Sequence, residues 1–109
     1  MKTSILQNED HDRFGVATGI GDLKGKDILD VGSGYAKLLT YLNDQGIEPG
    51  SYTGIDEDDR ALATSRETYP DHEFIKGSYP ADAPAIEVDY TFALGFFSYE
   101  RDDWTAFML

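Results

Sequence analysis

Residues 26–36, KDILDVGSGYA, constrain this chain more than any other stretch. Asp27 to Val31 is a short apolar run with an acid near its end, of the kind that forms a strand buried in a parallel sheet. Gly32-Ser33-Gly34 follows at once. Two glycines in three positions let the backbone turn sharply and let another group approach with no Cβ in the way. Beyond them the apolar period changes, because Tyr35, Leu38, Leu39 and Leu42 fall at i, i+3, i+4 and i+7, one face of a helix. The stretch predicts a strand, a bare turn, and a helix whose first free N–H groups point toward that turn.

The rest of the chain repeats the theme. Asn43 to Gly50, with Gly46, Pro49 and Gly50, reads as a helix stop and return loop. Ser51 to Asp56, SYTGID, is a second strand that again ends in an acid. Asp58 is placed to cap a helix over residues 59–69, which must stop before Pro70. HEFIKG predicts a third strand, SYPADAPAIE an extended loop, and Val88 to Phe97 a long fourth strand with its continuation. A short helix weakened by three glycines is expected over Arg13–Leu23, a mobile polar segment over residues 1–12, and the start of a further helix over residues 101–109. This alternation predicts one α/β domain with a parallel sheet and right-handed crossovers. In such sheets ligands bind beyond the carboxyl ends of the strands, where Asp30, Asp56, Gly77 and Gly95 all fall.

Charge and composition remove some classes of partner. The 21 acids against 9 Lys and Arg give a net charge of −12, which argues against nonspecific nucleic-acid binding and against anionic membranes. With no cysteine there is no disulfide and no thiolate metal site. No segment has the apolar length of a signal peptide or a bilayer span, so a cytoplasmic location is expected.

Spacing narrows the ligand. Asp56 lies 22 residues after Gly34, where a carboxylate accepts the two hydroxyls of a ribose; the alternative is a turn or cap acid of the DEDD run at 56–59. Asp30, two residues before Gly32, would repel a pyrophosphate, and Lys37 stands where a dinucleotide site wants its third glycine. An acid at the loop favours a ligand with a positive end, an ammonium or a sulfonium. The DEDD run fails the calcium-loop spacing, because Arg60 and Leu62 occupy ligand positions, so no metal is expected. His11 and His72 lack partners at ligand spacing and read as solvated, while Tyr35, Tyr79, Tyr90 and Tyr99 read as core or pocket wall.

ILDVGSGYAKL followed by YTGIDEDDRAL resembles the first two motifs of the class I S-adenosylmethionine-dependent methyltransferases. YPDHEFIKGS and VDYTFALGFFSY continue the family order, so the resemblance runs from Arg13 to about Tyr99. It implies a Rossmann-like three-layer α/β/α fold with strand order 3-2-1-4, binding S-adenosylmethionine and releasing S-adenosylhomocysteine. By the same resemblance Asp30 holds the methionine amino end and Gly32, Ser33 and Gly34 let the cofactor lie against the loop. Asp56 takes the ribose hydroxyls, Glu57 and Gly77-Ser78 stand beside the adenine, and Leu94-Gly95 lie beneath the transferring methyl. Ala36 departs from the family's third loop glycine, and Ser78 replaces a commoner aspartate. The resemblance implies methyl transfer to a small acceptor, and it names no catalytic base.

Family members continue through further strands, so the chain reads as the N-terminal, cofactor-binding half of such a domain. Alternatively, the strand-four edge pairs with a second copy. Two other functions fit the residues less well. One is a non-catalytic cofactor-binding or interaction module, and the other a nicotinamide-type dehydrogenase fragment, disfavoured by Asp30 and Lys37.

Overall fold

A computed structural model describes residues 22–93 of the chain. The expected segments over residues 1–12, 13–21 and 101–109, the continuation of strand four beyond residue 93, and the positions Leu94 and Gly95 lie outside the described residues. Within them, four strands and two helices follow the predicted order: β1 (Asp27–Val31), α1 (Lys37–Asp44), β2 (Ser51–Asp56), α2 (Asp59–Thr68), β3 (Glu73–Lys76) and β4 (Tyr90–Phe92). The strands form one parallel sheet in the order β3-β2-β1-β4.

Register decides which side chains share a face. Asp30 pairs with Gly54 on one side and Phe92 on the other, and Gly54 pairs with Phe74. These four therefore stand in one row, on the face that also carries Ile28 and Tyr52. The two helices pack there: Leu38, Leu39 and Leu42 of α1 and Leu62 of α2 join Ile28, Tyr52, Phe74 and Phe92 in one buried cluster. At about 1.5–3 kcal/mol per fully buried large apolar side chain, this layer is the main stabilising contact of both helices. Leu29, Val31 and Ile55 form a second buried cluster on the opposite face, with Ile75, Val88 and Ala93 against it.

One expected helix position moves. Ala36 adopts the left-handed region (φ 60°), so the chain turns once more before α1 begins at Lys37. Tyr35 is left outside the helix and 43% exposed, off the apolar face to which its spacing assigned it. A left-handed alanine costs roughly 1–2 kcal/mol. Its methyl group is fully buried, which offsets about 0.8 kcal/mol. The near balance explains why alanine is tolerated where a glycine would be unstrained. At the second helix the sequence reading holds to within one residue. Asp58 accepts the Arg60 and Ala61 N–H groups at 3.0 and 3.3 Å, and the helix ends at Thr68, before Pro70.

Candidate functional site

The turn after β1 is fixed from three sides. The Gly32 and Ser33 N–H groups both donate to the Ile55 carbonyl, at 2.9 and 3.2 Å, which carries the β1–β2 pairing past the end of the strand. The Gly34 N–H donates to Oδ2 of Asp56 at 2.9 Å, and the Ser65 hydroxyl of α2 donates to the Gly34 carbonyl at 3.0 Å. Gly34 has φ +54°, and a Cβ there would meet nothing within 4 Å. The loop thus turns a backbone without side chain toward open space.

On its other side the loop is wedged against β2. A Cβ on Gly54 would lie 2.7 Å from the Ser33 Oγ, 2.8 Å from its Cβ and 3.0 Å from Phe74. Only a glycine lets Ser33 rest on the strand. The Ser33 hydroxyl is buried with no hydrogen-bond partner. Because an unpaired buried hydroxyl costs about 1–3 kcal/mol, Ser33→Ala is expected to raise stability by about 1 kcal/mol in a denaturant titration. A loss of stability would mean that the hydroxyl is satisfied after all.

The DEDD run divides into four separate roles. Asp56 accepts the Gly34 N–H with one oxygen and the Asp58 N–H with the other, at 2.9 and 2.8 Å. Glu57 accepts the Ser78 hydroxyl at 2.7 Å, Asp58 caps α2, and Asp59 pairs with Lys76 at 2.9 Å on the surface. Among the described residues no group of His, Asp and Glu converges as a metal site.

Beyond the ends of β1, β2 and β3 lies a cleft of about 240 Å³ lined by Val31, Gly32, Ile55, Asp56, Glu57, Gly77, Ser78 and Tyr79. Of the predicted site residues, Gly32, Asp56, Glu57, Gly77 and Ser78 come together in this wall, and Gly34 is bonded to Asp56 at its edge. Ser33 points away, onto Gly54. The β3 side of the cleft is shaped by Asp82, which folds back so that its Oδ2 accepts the Ser78 N–H at 2.9 Å. A Cβ on Gly77 would overlap Asp82, so glycine is required here by close approach. Among the described residues that line the cleft two are carboxylates and none is Lys, Arg or His, which suits a cation or a hydrogen-bond donor and opposes a pyrophosphate.

Asp30 lies elsewhere than in the cleft wall. It is 2% exposed, on the helix-covered face of β1, and accepts the Tyr52 hydroxyl at 2.5 Å. Tyr52 packs its ring against Phe74 and His72. Burial, and then the Asp30 charge and hydrogen bond, push the Tyr52 hydroxyl well above its ordinary value near 10. The folded protein therefore keeps a proton that the unfolded chain releases. The stability this provides is complete below pH 10 and is lost as pH rises through the folded value, by about 1.4 kcal/mol per pH unit. Tyr52→Phe is expected to lower stability at pH 7 by roughly 1–3 kcal/mol and to remove this alkaline slope. A slope unchanged in the variant would assign it to other groups.

Tyr52 and Asp82 escaped the sequence reading. Tyr52 was visible as the residue two before Gly54, on the strand face that Asp30 shares. Asp82 gave no signal, since a five-residue reach from Gly77 depends on the turn between them.

No protein-family model and no curated protein matches this chain. Solved structures do. An amino pentose methyltransferase of Micromonospora echinaspora involved in calicheamicin biosynthesis, CalS10, with S-adenosylmethionine bound, superposes with a TM-score of 0.61 at 16% identity over 86% of this chain. The plantazolicin methyltransferase BamL, in complex with a triazolic desmethylPZN analog and S-adenosylhomocysteine, gives 0.59 at 18% over 79%. An S-adenosylmethionine-dependent methyltransferase of Mesorhizobium loti gives 0.55 at 17% over 72%. The chain spans less than half the length of each, 44%, 35% and 37% respectively. Its fold is that of the class I S-adenosylmethionine-dependent methyltransferases, with the open sheet order 3-2-1-4.

Proposed function

We propose that the cleft binds S-adenosylmethionine and that the chain is the cofactor-binding part of a methyltransferase acting on a small acceptor. The observation that carries this reading is Asp56. Its carboxylate joins the glycine loop to the end of β2 at the edge of a cleft whose described lining carries no Lys, Arg or His. Each of its oxygens uses one of about two acceptor positions on the chain itself, which leaves one on each for the hydroxyls of a ribose.

The residues present fit the cofactor. Gly34 leaves room for it against the loop, Asp56 takes its ribose, and Glu57, Gly77 and Ser78 flank its base. Asp30, set behind the loop, supplies negative charge at the cationic end. When bound, the cofactor supplies a sulfonium methyl group already activated for transfer. The chain's own contribution is then alignment and exclusion of water, which can account for much of the acceleration. The neighbours act on acceptors as different as an amino pentose and plantazolicin, and a shared fold does not transmit an acceptor.

The test is a pair of calorimetric titrations, with S-adenosylhomocysteine and with NADH. Saturable one-to-one binding of the first and none of the second is the expected result. Preference for NADH would overturn the reading in favour of a dehydrogenase-type site. Methyl-donor binding without turnover on any acceptor would favour the non-catalytic module.

A further inference from the structure

The peptide that joins Gly34 to Tyr35 is held from outside its own loop. Its carbonyl accepts the Ser65 hydroxyl of α2 at 3.0 Å, from 31 positions further along the chain. Ser65 is buried, so water has little access to that bond. A serine inside a helix can return its proton to the carbonyl four residues earlier. This one gives it to the loop instead. The residues around the peptide restrain it weakly: Gly34, at φ +54°, rotates at little cost, and Ala36 sits at φ 60° with no side-chain cap bond. The peptide is trans, with C=O and N–H on opposite sides, so anchoring the carbonyl on α2 turns the Tyr35 N–H the other way. That N–H has no hydrogen-bond partner among the described residues.

We propose that Ser65 is a positioning residue of the cofactor site: its hydroxyl fixes the plane of the Gly34–Tyr35 peptide and so presents the Tyr35 N–H, rather than the Gly34 carbonyl, to the amino-acid end of the cofactor. This rests on the cofactor reading above, in which that end lies along the glycine loop. Without the hydroxyl the peptide is free to turn over. A carbonyl oxygen then faces the ligand carboxylate and repels it, where an N–H would bind it. Asp56 stands outside this effect, because it holds the Gly34 N–H, which belongs to the preceding peptide. Ribose and base therefore do not depend on Ser65.

The experiment measures the affinities of S-adenosylhomocysteine and of methylthioadenosine, which keeps the ribose and base but lacks the amino-acid end. Both are titrated into the unaltered chain, Ser65→Ala and Ser65→Cys. Ser65→Ala is expected to bind S-adenosylhomocysteine about tenfold more weakly, the worth of one hydrogen bond to a charged group, and methylthioadenosine within about twofold of the unaltered chain. Ser65→Cys fills the space with only a weak donor, so it should lose about three- to tenfold on the same ligand alone. It decides the matter if the alanine chain does not fold. An equal loss for both ligands would make Ser65 a packing residue and overturn the proposal, as would unchanged affinities in both variants; either leaves the cofactor site intact. Failure of the folded, unaltered chain to bind either compound would overturn the cofactor reading and this proposal with it.

Discussion

Replacement of Asp56 by alanine is expected to weaken S-adenosylhomocysteine binding by about a hundredfold or more. Two hydroxyls donating to a carboxylate are worth about 1.5–3 kcal/mol each, and 1.4 kcal/mol is a factor of ten. The same change removes the acceptor of the Gly34 and Asp58 N–H groups. Stability should therefore fall as well, by roughly 1–3 kcal/mol. Asp56→Asn separates the two effects. It keeps one carbonyl acceptor and the size of the side chain, and it should retain more stability than affinity. Titration of both variants alongside a denaturant curve checks this. Unchanged affinity in Asp56→Ala, with the chain still folded, would remove the ribose from this residue.

Gly54→Ala should have the second largest effect, although Gly54 touches no ligand. The added methyl meets Ser33 and Phe74 at 2.7–3.0 Å, closer than real side chains pack. Overpacking of this kind costs about 1–3 kcal/mol, and relief requires Ser33 to lift off β2 and shift the loop. Affinity is expected to fall with stability. Adding Ser33→Gly removes two of the three clashing atoms, so the double variant should recover more than the single effects would sum to. Strict additivity, measured by chemical denaturation of the four chains, would show that the loop is not wedged on Gly54.

These two residues show how far the sequence carried the account. The position of Asp56 at the end of β2 was legible because it closes an apolar run, which is a local pattern. Strands β1 and β2 were legible to the residue for the same reason. Gly54 read as an ordinary strand position, because its demand comes from Ser33 and Phe74, which reach it through the fold. Asp30 shows a related difficulty. Its position two before Gly32 gave no sign that its side chain lies on the helix-covered face, with Tyr52 as partner. Tyr35 was displaced by a left-handed alanine that no apolar periodicity can report.

The hydrogen bonds around Asp56 also explain why the site can be built before a ligand arrives. The loop is tied to β2 through Asp56 and Ile55, and to α2 through Ser65. Binding then orders few new groups, and less of the interaction energy is lost to entropy.

The most direct test of the cofactor site is a backbone amide NMR titration of the chain with S-adenosylhomocysteine. The largest shifts are expected at Gly32, Gly34, Asp56, Glu57, Gly77 and Ser78, with α1 beyond its first turn and the amino ends of the strands unmoved. Shifts absent from those amides at saturating ligand, or centred elsewhere in the sheet, would contradict the assignment of this cleft to the cofactor.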